Sequence, residues 1–233
     1  MLRKGASRAA APEVSVIIPT LNAASHLPAT LAACAGAGEI IIADGGSVDD
    51  TVALARAHGA RIVMAPPGRG VQLQRGASVA AGEWLLFLHA DTRLAEDWSD
   101  AVRAFSANPA NRARAATFRF GLDDGSAAAR RLERRVAWRV HHLGLAYGDQ
   151  GLVIHREWFH ALGGFRPWPL MEDVDLIRRI GRRRLSVLAC EVHTSAERWR
   201  HDGWRRRSLR NIGCLTLYFL GVSPDRIARL YGQ

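Results

Sequence analysis

Short apolar runs alternate with longer mixed segments through the first half of the chain. The runs have the length and β-branched bulk of buried strands, and turn-forming or polar residues follow each of them. The segments between the runs are long enough for short helices, and this alternation is typical of βαβ units with a parallel sheet. The predicted strands are residues 14–19, 39–43, 61–64 and 84–89.

Helix signals fill the gaps between these strands. Asn22 or Ser25 can cap the first helix, and a pair of glycines follows it. Asp49 and Asp50 stand at the start of the second helix, where carboxylates suit the helix dipole. A third helix is predicted over residues 71–80.

The second half of the chain is less regular. It contains a strongly basic helical segment and a late segment that combines arginines with an apolar face. The predicted strands are residues 115–120, part of 148–155, and 185–190, and the predicted helices are 126–143, 171–181, 204–219 and a last one from Pro224. The change near residue 115 indicates a functional division within a single domain spanning residues 13–233. Its parts are a nucleotide-binding half over 13–114, an acceptor half over 115–203 and C-terminal helices over 204–233, after a loose tail over 1–12.

Charge adds one question about partners. The chain has 233 residues and a formal net charge of +10, and its 48% apolar content is ample for a core. Lys4 is the only lysine, so 31 of the 32 basic residues are arginine. A basic surface favours anionic ligands and anionic lipid, whereas drift in a GC-rich genome explains the same bias without any partner. No helix-turn-helix, RNP or zinc-finger pattern accompanies the charge, so we expect no nucleic-acid binding.

Several negative patterns predict a cytoplasmic protein. The cysteines are odd in number and far apart, which argues against a disulfide framework and a zinc knuckle. Residues 1–12 lack the apolar region of a signal peptide. The longest apolar stretch, 212–222, is shorter than the roughly 20 residues that span a bilayer. The helix over 204–219 either packs on its own domain or lies peripherally on the inner, anionic face of a membrane.

Two predicted strands are followed by acidic turns. Asp44 directly follows the run at 39–43, and Asp91 follows the run at 84–89. Ligands of open α/β sheets bind at the carboxyl ends of the strands. One acidic turn there can read a nucleoside, and the other can hold a divalent metal on a diphosphate, so the pair indicates a nucleotide-sugar transferase.

In chain order, several segments resemble the family 2 glycosyltransferases of GT-A fold. They are VSVIIPTLN at 14–22, ADGGSVDDT at 43–51, HAD at 89–91, GGF at 163–165 with MED at 171–173, and RW at 198–199. The resemblance implies an α/β fold with a Rossmann-like, mostly parallel central sheet, flanking helices and a helical C-terminal extension. It also implies metal-assisted, inverting transfer of a sugar from a UDP-linked donor to a hydroxyl acceptor. The HADT, GDQG and GVSPDRIARLY strings are most similar to a bacterial subgroup associated with arsenosugar biosynthesis.

The family pattern places the nucleoside at the first two strand ends. It implies that Asp44 accepts the imide N–H of uracil, and that Pro19, Thr20 and Asn22 line the base and ribose pocket beside Gly45. An aspartate before two glycines is also a common turn former, and this alternative stays open.

The metal is expected at the third motif. Asp91 would hold Mn²⁺ or Mg²⁺, which take oxygen ligands from carboxylates and phosphates. His89 stands where the family has its first aspartate. A histidine there either binds metal, which favours Mn²⁺ over Mg²⁺, or only hydrogen-bonds nearby groups.

The family pattern assigns the catalytic base to the ED pair. Asp173 is the expected base for the acceptor hydroxyl, with Glu172 as the second candidate. Both residues stand at a predicted helix start, so a role limited to the helix dipole is the alternative.

Other candidates are expected around the diphosphate and the acceptor. Arg69 can bind phosphate through two hydrogen bonds, or it belongs to a flexible turn. Either of two late histidines, His193 and His201, could complete the metal site, although scattered histidines are more often structural. The expected acceptor and diphosphate residues are Gly148, Asp149, Gln150, Arg198 and Trp199.

Two other enzyme-fold interpretations remain at this point. A nucleotidyltransferase would carry a Gly-rich basic loop after its first strand, whereas this chain has PTLN at 19–22. A catalytically degenerate GT-A scaffold is the other alternative, and His89 in place of an aspartate gives it weight.

Overall fold

A computed structural model of the chain describes residues 14–231, so the predicted loose tail at 1–12 lies outside the described residues. One eight-stranded sheet runs through the molecule in the order β3-β2-β1-β4-β7-β6-β8-β5. The strands are β1 (Val14–Thr20), β2 (Glu39–Asp44), β3 (Arg61–Met64), β4 (Trp84–Phe87), β5 (Thr92–Leu94), β6 (Ala115–Leu122), β7 (Leu152–His155) and β8 (Leu185–Thr194). The helices are α1 (Leu27–Ala33), α2 (Thr51–Ala57), α3 (Arg69–Val79), α4 (Trp98–Ser106), α5 (Ala127–Leu143), α6 (Arg156–Ala161), α7 (Glu172–Ile180), α8 (Glu197–Asp202), α9 (Trp204–Phe219) and α10 (Pro224–Tyr231).

The sheet is parallel in its first half and mixed in its second. Strands β1 to β4 pair in parallel, as the alternating pattern predicted. Strand β7 pairs antiparallel with both β4 and β6, and β8 runs parallel to β6. The α/β fold with flanking helices and a helical C-terminal segment is therefore confirmed.

Helices cover both faces of the sheet because its strands alternate their side chains between two cores. In β1, Val16 and Ile18 join the core under α1 and α4, whereas Ile17 joins the core under α3, α5 and α7. Trp98 and Val102 lie one helical turn apart on α4 and are both buried, so α4 packs one face against the sheet. The acidic strand ends are thus held by a sheet packed on both sides.

Several element boundaries differ from prediction. Neither Asn22 nor Ser25 caps α1, which begins at Leu27 with a proline in its first turn and no side-chain cap. Strand β4 ends at Phe87, and β8 continues to Thr194 because β5 pairs with its last residues. The sequence patterns had not predicted β5, α4, α6 or α8.

No helix within residues 14–231 is both long and apolar enough to cross a membrane. The three cysteines, Cys34, Cys190 and Cys214, are buried with free thiols. Helix α9 keeps much of its surface exposed, including Leu209 and Ile212, and only Cys214 is buried in it.

Candidate active site

The first two strand ends are held together by the carboxylate of Asp44. Its Oδ1 accepts backbone N–H groups of Gly46 at 2.9 Å and Ser47 at 2.8 Å, and its Oδ2 accepts the hydroxyls of Thr20 at 2.8 Å and Ser47 at 2.6 Å. Burial alone would raise the pKa of Asp44, but these hydrogen bonds outweigh it and hold the pKa below its usual value. In this arrangement each carboxylate oxygen already accepts two hydrogen bonds.

Asn22 fastens the first loop to the second. Its backbone lies in the left-handed region at φ 51°, which asparagine tolerates better than most residues. Its Oδ1 accepts the N–H of Val48 at 2.9 Å, and its own N–H donates to Ser47 Oγ at 2.8 Å. This contact explains why Asn22 does not cap α1. Pro19, near the end of β1, is buried.

A buried glutamine in α3 braces both strand ends. Gln72 Nε2 donates to the carbonyls of Thr20 at 2.7 Å and Ala43 at 2.8 Å. A Cβ added at Gly45 would lie 3.0 Å from Gln72 Nε2, so glycine lets the second loop approach α3 closely. Gln72 has no signature in the local sequence, because its partners are backbone groups distant in the chain.

His89 and Asp91 stand together beyond the end of β4 and line one cavity. Burial lowers the pKa of His89 to about 4, helped by the charges of Arg69 and Arg198 and opposed by Asp91 and Asp173. The imidazole is therefore neutral near pH 7 and can offer a nitrogen lone pair. Within residues 14–231, no three His, Cys, Asp or Glu side chains cluster as a metal site. One carboxylate and one imidazole would thus fit a divalent ion that takes its other ligands from a diphosphate.

The turn at 148–150 joins His89 to Asp173. The N–H of Gly148 donates to Asp173 Oδ2 at 2.8 Å, and a Cβ at Gly148 would lie 2.5 Å from His89 Nε2. Only glycine allows this contact without displacing the ring. The side chain of Gln150 points instead toward the sheet, where its Nε2 donates to Phe118 O at 3.2 Å.

Three polar side chains meet at the buried floor of this cavity. The Arg139 guanidinium lies 3.7 Å from the centre of the Tyr147 ring and donates through Nε to Leu145 O at 2.9 Å. Burial raises the pKa of Asp149 to about 6 and that of Tyr147 to about 12. Asp149 Oδ1 and the Tyr147 hydroxyl are buried and have no hydrogen-bond partner among the described residues. Such atoms normally have a partner, so a bound ligand or water fits here.

Glu172 and Asp173 are neighbours with different surroundings. Met171 precedes α7 in the left-handed region at φ 67°, which is costly for a non-glycine residue and fixes how the helix starts. Glu172 is buried and pairs with Arg69, its Oε1 lying 2.8 Å from Arg69 Nε. Burial raises the pKa of Glu172 to about 7, while Arg69 opposes the rise. Asp173 lines the cavity and accepts the N–H of Val174 at 2.7 Å.

The segment at 163–165 contacts both α7 and α3. Arg179 donates to Leu162 O at 2.6 Å and Gly164 O at 2.7 Å, and it pairs with Asp175 at 2.7 Å. Gln74 Oε1 accepts the N–H of Phe165 at 2.9 Å. These contacts fix α7, which carries Asp173, against α3.

Helix α8 and the start of α9 close the other side of the cavity. Trp199 stacks on Trp204 with ring centres 5.8 Å apart, and Arg207 lies 5.3 Å from the Trp199 ring. Arg207 and Arg210 each donate to Asp202 Oδ2 at 2.7 Å. The basic run in α9 is therefore partly neutralised within the chain.

The two late histidines lie outside this cavity. His193 belongs to β8, where it pairs with Arg93 of β5, and alternation along the strand turns it away from the face that bears Thr194. His201 lies in α8, with 87% of its side chain exposed, beside Asp202 at 3.1 Å. Neither arrangement brings a histidine to His89 and Asp91 as a third metal ligand.

The cavity has a volume of about 430 Å³ and is lined by seven of the fifteen predicted site residues. The predicted residues that line it are Arg69, His89, Asp91, Asp149, Asp173, Arg198 and Trp199. Those outside its lining are the loop residues Pro19, Thr20, Asn22, Asp44 and Gly45, and also Gly148, Gln150 and Glu172. Four polar residues that no sequence motif marks also line it: Arg135, Arg139, Tyr147 and Thr194.

A family model and several known proteins match part of this chain. Residues 15–162 match the family model described as Glycosyl transferase family 2. A PGL/p-HBAD biosynthesis glycosyltransferase of Mycobacterium tuberculosis is 43% identical over 98 residues, which cover 37% of this chain and 38% of that protein. An uncharacterized glycosyltransferase of the same species is 37% identical over 79 residues, covering 34% of this chain and 36% of that protein. The matched part thus spans less than two fifths of either relative.

Solved structures of glucosyl-3-phosphoglycerate synthase from Mycobacterium tuberculosis share the fold. The complex with Mn²⁺, UDP and glucosyl-3-phosphoglycerate has a TM-score of 0.54 at 21% identity, covering 80% of this chain and 71% of that chain. The complex with phosphoglyceric acid has a TM-score of 0.55 at 20% identity, with the same coverage of both chains.

Proposed function

Because the chain belongs to glycosyl transferase family 2 and is therefore a glycosyltransferase, we propose that it moves a sugar from a UDP-linked donor to a hydroxyl acceptor with inversion. The observation that carries this proposal is the placement of Asp173 and Asp91 on one cavity beside the two fastened strand-end loops. The Mn²⁺ and UDP bound by the structural neighbour support the choice of donor and metal.

Asp173 is the base in this proposal. Two backbone N–H groups, from Gly148 and Val174, hold its carboxylate in place, and each oxygen retains a lone pair for an acceptor hydroxyl. Asp173 takes the proton of the acceptor hydroxyl while the hydroxyl oxygen attacks the anomeric carbon in line. The bond from that carbon to UDP breaks, so UDP leaves and the configuration is inverted. Glu172 is buried on Arg69, so its proposed role is to position that arginine.

The donor diphosphate is proposed to lie between the strand-end loops and the cavity. Arg69 and Arg198 line the same cavity as His89, and their charges help to lower the pKa of its imidazole. Both arginines are therefore proposed to contact the negatively charged diphosphate. Asp91 with His89 would hold the divalent ion, and the ion would supply positive charge to offset that of the leaving diphosphate. The neutral imidazole favours Mn²⁺ over Mg²⁺.

Base recognition by Asp44 is retained as a prediction with a structural condition. All of its acceptor positions are engaged by Thr20, Gly46 and Ser47. Uracil can reach the carboxylate only if the Thr20 or Ser47 hydroxyl turns away. Pro19, Asn22 and Gly45 are proposed to shape the nucleoside pocket around it.

We also propose two finer assignments. The strings HADT, GDQG and GVSPDRIARLY favour the arsenosugar-associated bacterial subgroup. Peripheral contact with anionic membrane is supported by the exposed arginines Arg205 and Arg206 beside Leu209, which is 70% exposed on α9.

A thermal-shift panel of UDP-, GDP-, dTDP- and CMP-linked sugars, with and without Mn²⁺, tests the proposal. A ligand present at 100 times its Kd stabilises the native state by about 2.7 kcal/mol, which corresponds to roughly 5–11 °C for a chain of this size. We expect that shift for a UDP-sugar with Mn²⁺. Asp91→Asn should lose the part that needs Mn²⁺, whereas Asp100→Asn, an exposed aspartate on α4, should keep it. Equal shifts for all bases, or none with any, would contradict the proposal.

A further inference from the structure

The cavity extends beyond the region where a nucleotide would bind. Arg69, His89 and Asp91 line its end nearest the proposed diphosphate site. The residues expected to hold the nucleoside, which are Pro19, Thr20, Asn22, Asp44 and Gly45, do not line it. Its volume of about 430 Å³ lies within the usual range of ligand pockets. The space past Asp173 is therefore available to the acceptor.

The far walls of this space are mainly apolar. They come from β6, α5, α8 and α9, four elements of the second half of the chain. Polar side chains on them belong to Arg135 of α5 and to Arg207, Ser208 and Asn211 of α9. The apolar side chains on them are Phe120, Leu132, Val136, Trp199, Ile212 and Leu215. Apolar side chains placed around a cavity favour a ligand that removes apolar surface from water.

The inner end of the same space is polar. Asp173 stands there with Asp149 and Tyr147, and the last two have buried oxygens without a partner among the described residues. A hydroxyl group can both donate and accept hydrogen bonds, so it suits a mixed set of a phenol and carboxylates.

We propose that the acceptor is an amphiphilic alcohol, with its reacting hydroxyl at Asp173 and an alkyl or aromatic body between α5 and α9. This inference rests on the proposed function of Asp173 as the base. A small, fully hydrated acceptor such as a phosphorylated three-carbon acid would leave the apolar walls in contact with water. The continuity of these walls with the catalytic groups favours the amphiphile.

An alcohol series tests the proposal through transfer. With the UDP-sugar that binds, kcat/KM should rise about threefold to fourfold per added methylene from ethanol to 1-octanol, because each buried methylene contributes a similar free energy. 4-Alkylphenols form a parallel arm that separates aromatic from alkyl bodies. Glycerol and 3-phosphoglycerate should be poor acceptors. Equal kcat/KM along the series, or preference for 3-phosphoglycerate, would overturn the proposal.

A pair of variants on one helix supplies the matched control. Ile212 lines the cavity, whereas Leu209 lies outside its lining, and their exposed fractions are 58% and 70%. Since both are exposed, neither substitution should impair folding, and thermal unfolding checks this. Ile212→Asn should flatten the dependence on chain length, and Leu209→Asn should leave it unchanged. The same response in both variants would count against the proposal.

Direct binding of 1-octanol separates this inference from the proposed function. Octanol affinity, measured by calorimetry without donor, should fall at least threefold in Ile212→Asn and stay constant in Leu209→Asn. If octanol binds in this way but no UDP-sugar binds, the proposed donor is wrong and the apolar pocket stands. If UDP-sugar binds but octanol does not, the amphiphilic acceptor is wrong and the proposed function stands.

Discussion

Replacing Gly148 with alanine probes the contacts of Gly148 with His89, the proposed metal ligand, and with Asp173, the proposed base. The new Cβ would lie 2.5 Å from His89 Nε2 and 3.3 Å from Asp173 Oδ2. Ordinary non-bonded contacts lie near 3.5–4.0 Å, so the imidazole must move by roughly 1 Å. Overpacking of this kind costs about 1–3 kcal/mol of stability, and a 1 Å displacement near the reacting groups can cost about 10²-fold in rate.

The assay measures the free energy of unfolding by denaturant and kcat on the same preparation. Gly213→Ala in α9 is the matched control, because its Cβ would meet nothing within 4 Å. That control should keep full turnover and gain up to about 1 kcal/mol from helix propensity.

A double-mutant cycle identifies the clashing partner. In a His89→Ala background the ring is gone, so Gly148→Ala should cost less than about 0.5 kcal/mol. Unchanged stability and turnover in the single Gly148→Ala variant would refute the contact. An equal cost with and without the ring would show that His89 is not the group displaced.

Three further predictions concern pH, uracil and membrane. The pKa of Glu172 is raised to about 7, so folded protein binds more protons than unfolded protein between the ordinary value of 4.5 and 7. The stability of wild type relative to Glu172→Gln should therefore fall as pH rises through that window, and a constant difference from pH 4.5 to 8 would contradict the burial argument. Asp44→Asn should weaken UDP binding by about 1.5–3 kcal/mol if its charge reads uracil, and unchanged calorimetric affinity in the folded variant would leave Asp44 a loop-holding role only. Partitioning to anionic vesicles should fall with added salt and weaken in the double variant of Arg205 and Arg206 to Ser, whereas equal binding to neutral vesicles would argue against charge-driven contact.

The first half of the fold was predictable because local signals there agree with the tertiary structure. Strand β3 has the predicted bounds, and β2 differs only by including Asp44. Helix α4 carried a readable signal, since Trp98, Val102 and Phe105 recur at helical spacing. Strand β5 has only three residues and depends on pairing with β8, so no local pattern could reveal it.

The candidate site was predictable where motifs carry the chemistry and hidden where contacts between distant residues create it. Asp91 and Asp173 were found through their motifs, and both line the cavity. The pairing of Arg69 with Glu172, 103 residues apart, leaves no trace in local sequence. Arg139 belongs to a basic helix that reads as a solvated surface, and only its stacking on Tyr147 places it at the cavity floor.

The rate of UDP release in the Asp173→Asn variant most directly tests the central claim that Asp173 activates the acceptor hydroxyl. The measurement is a single turnover of Mn²⁺-loaded enzyme with its UDP-sugar and an alcohol acceptor, beside calorimetric UDP affinity. Loss of a positioned base costs about 10²–10⁴-fold, so we expect that loss in turnover with UDP affinity within about twofold of wild type. Turnover within about threefold of wild type would contradict the claim and assign the proton to another group.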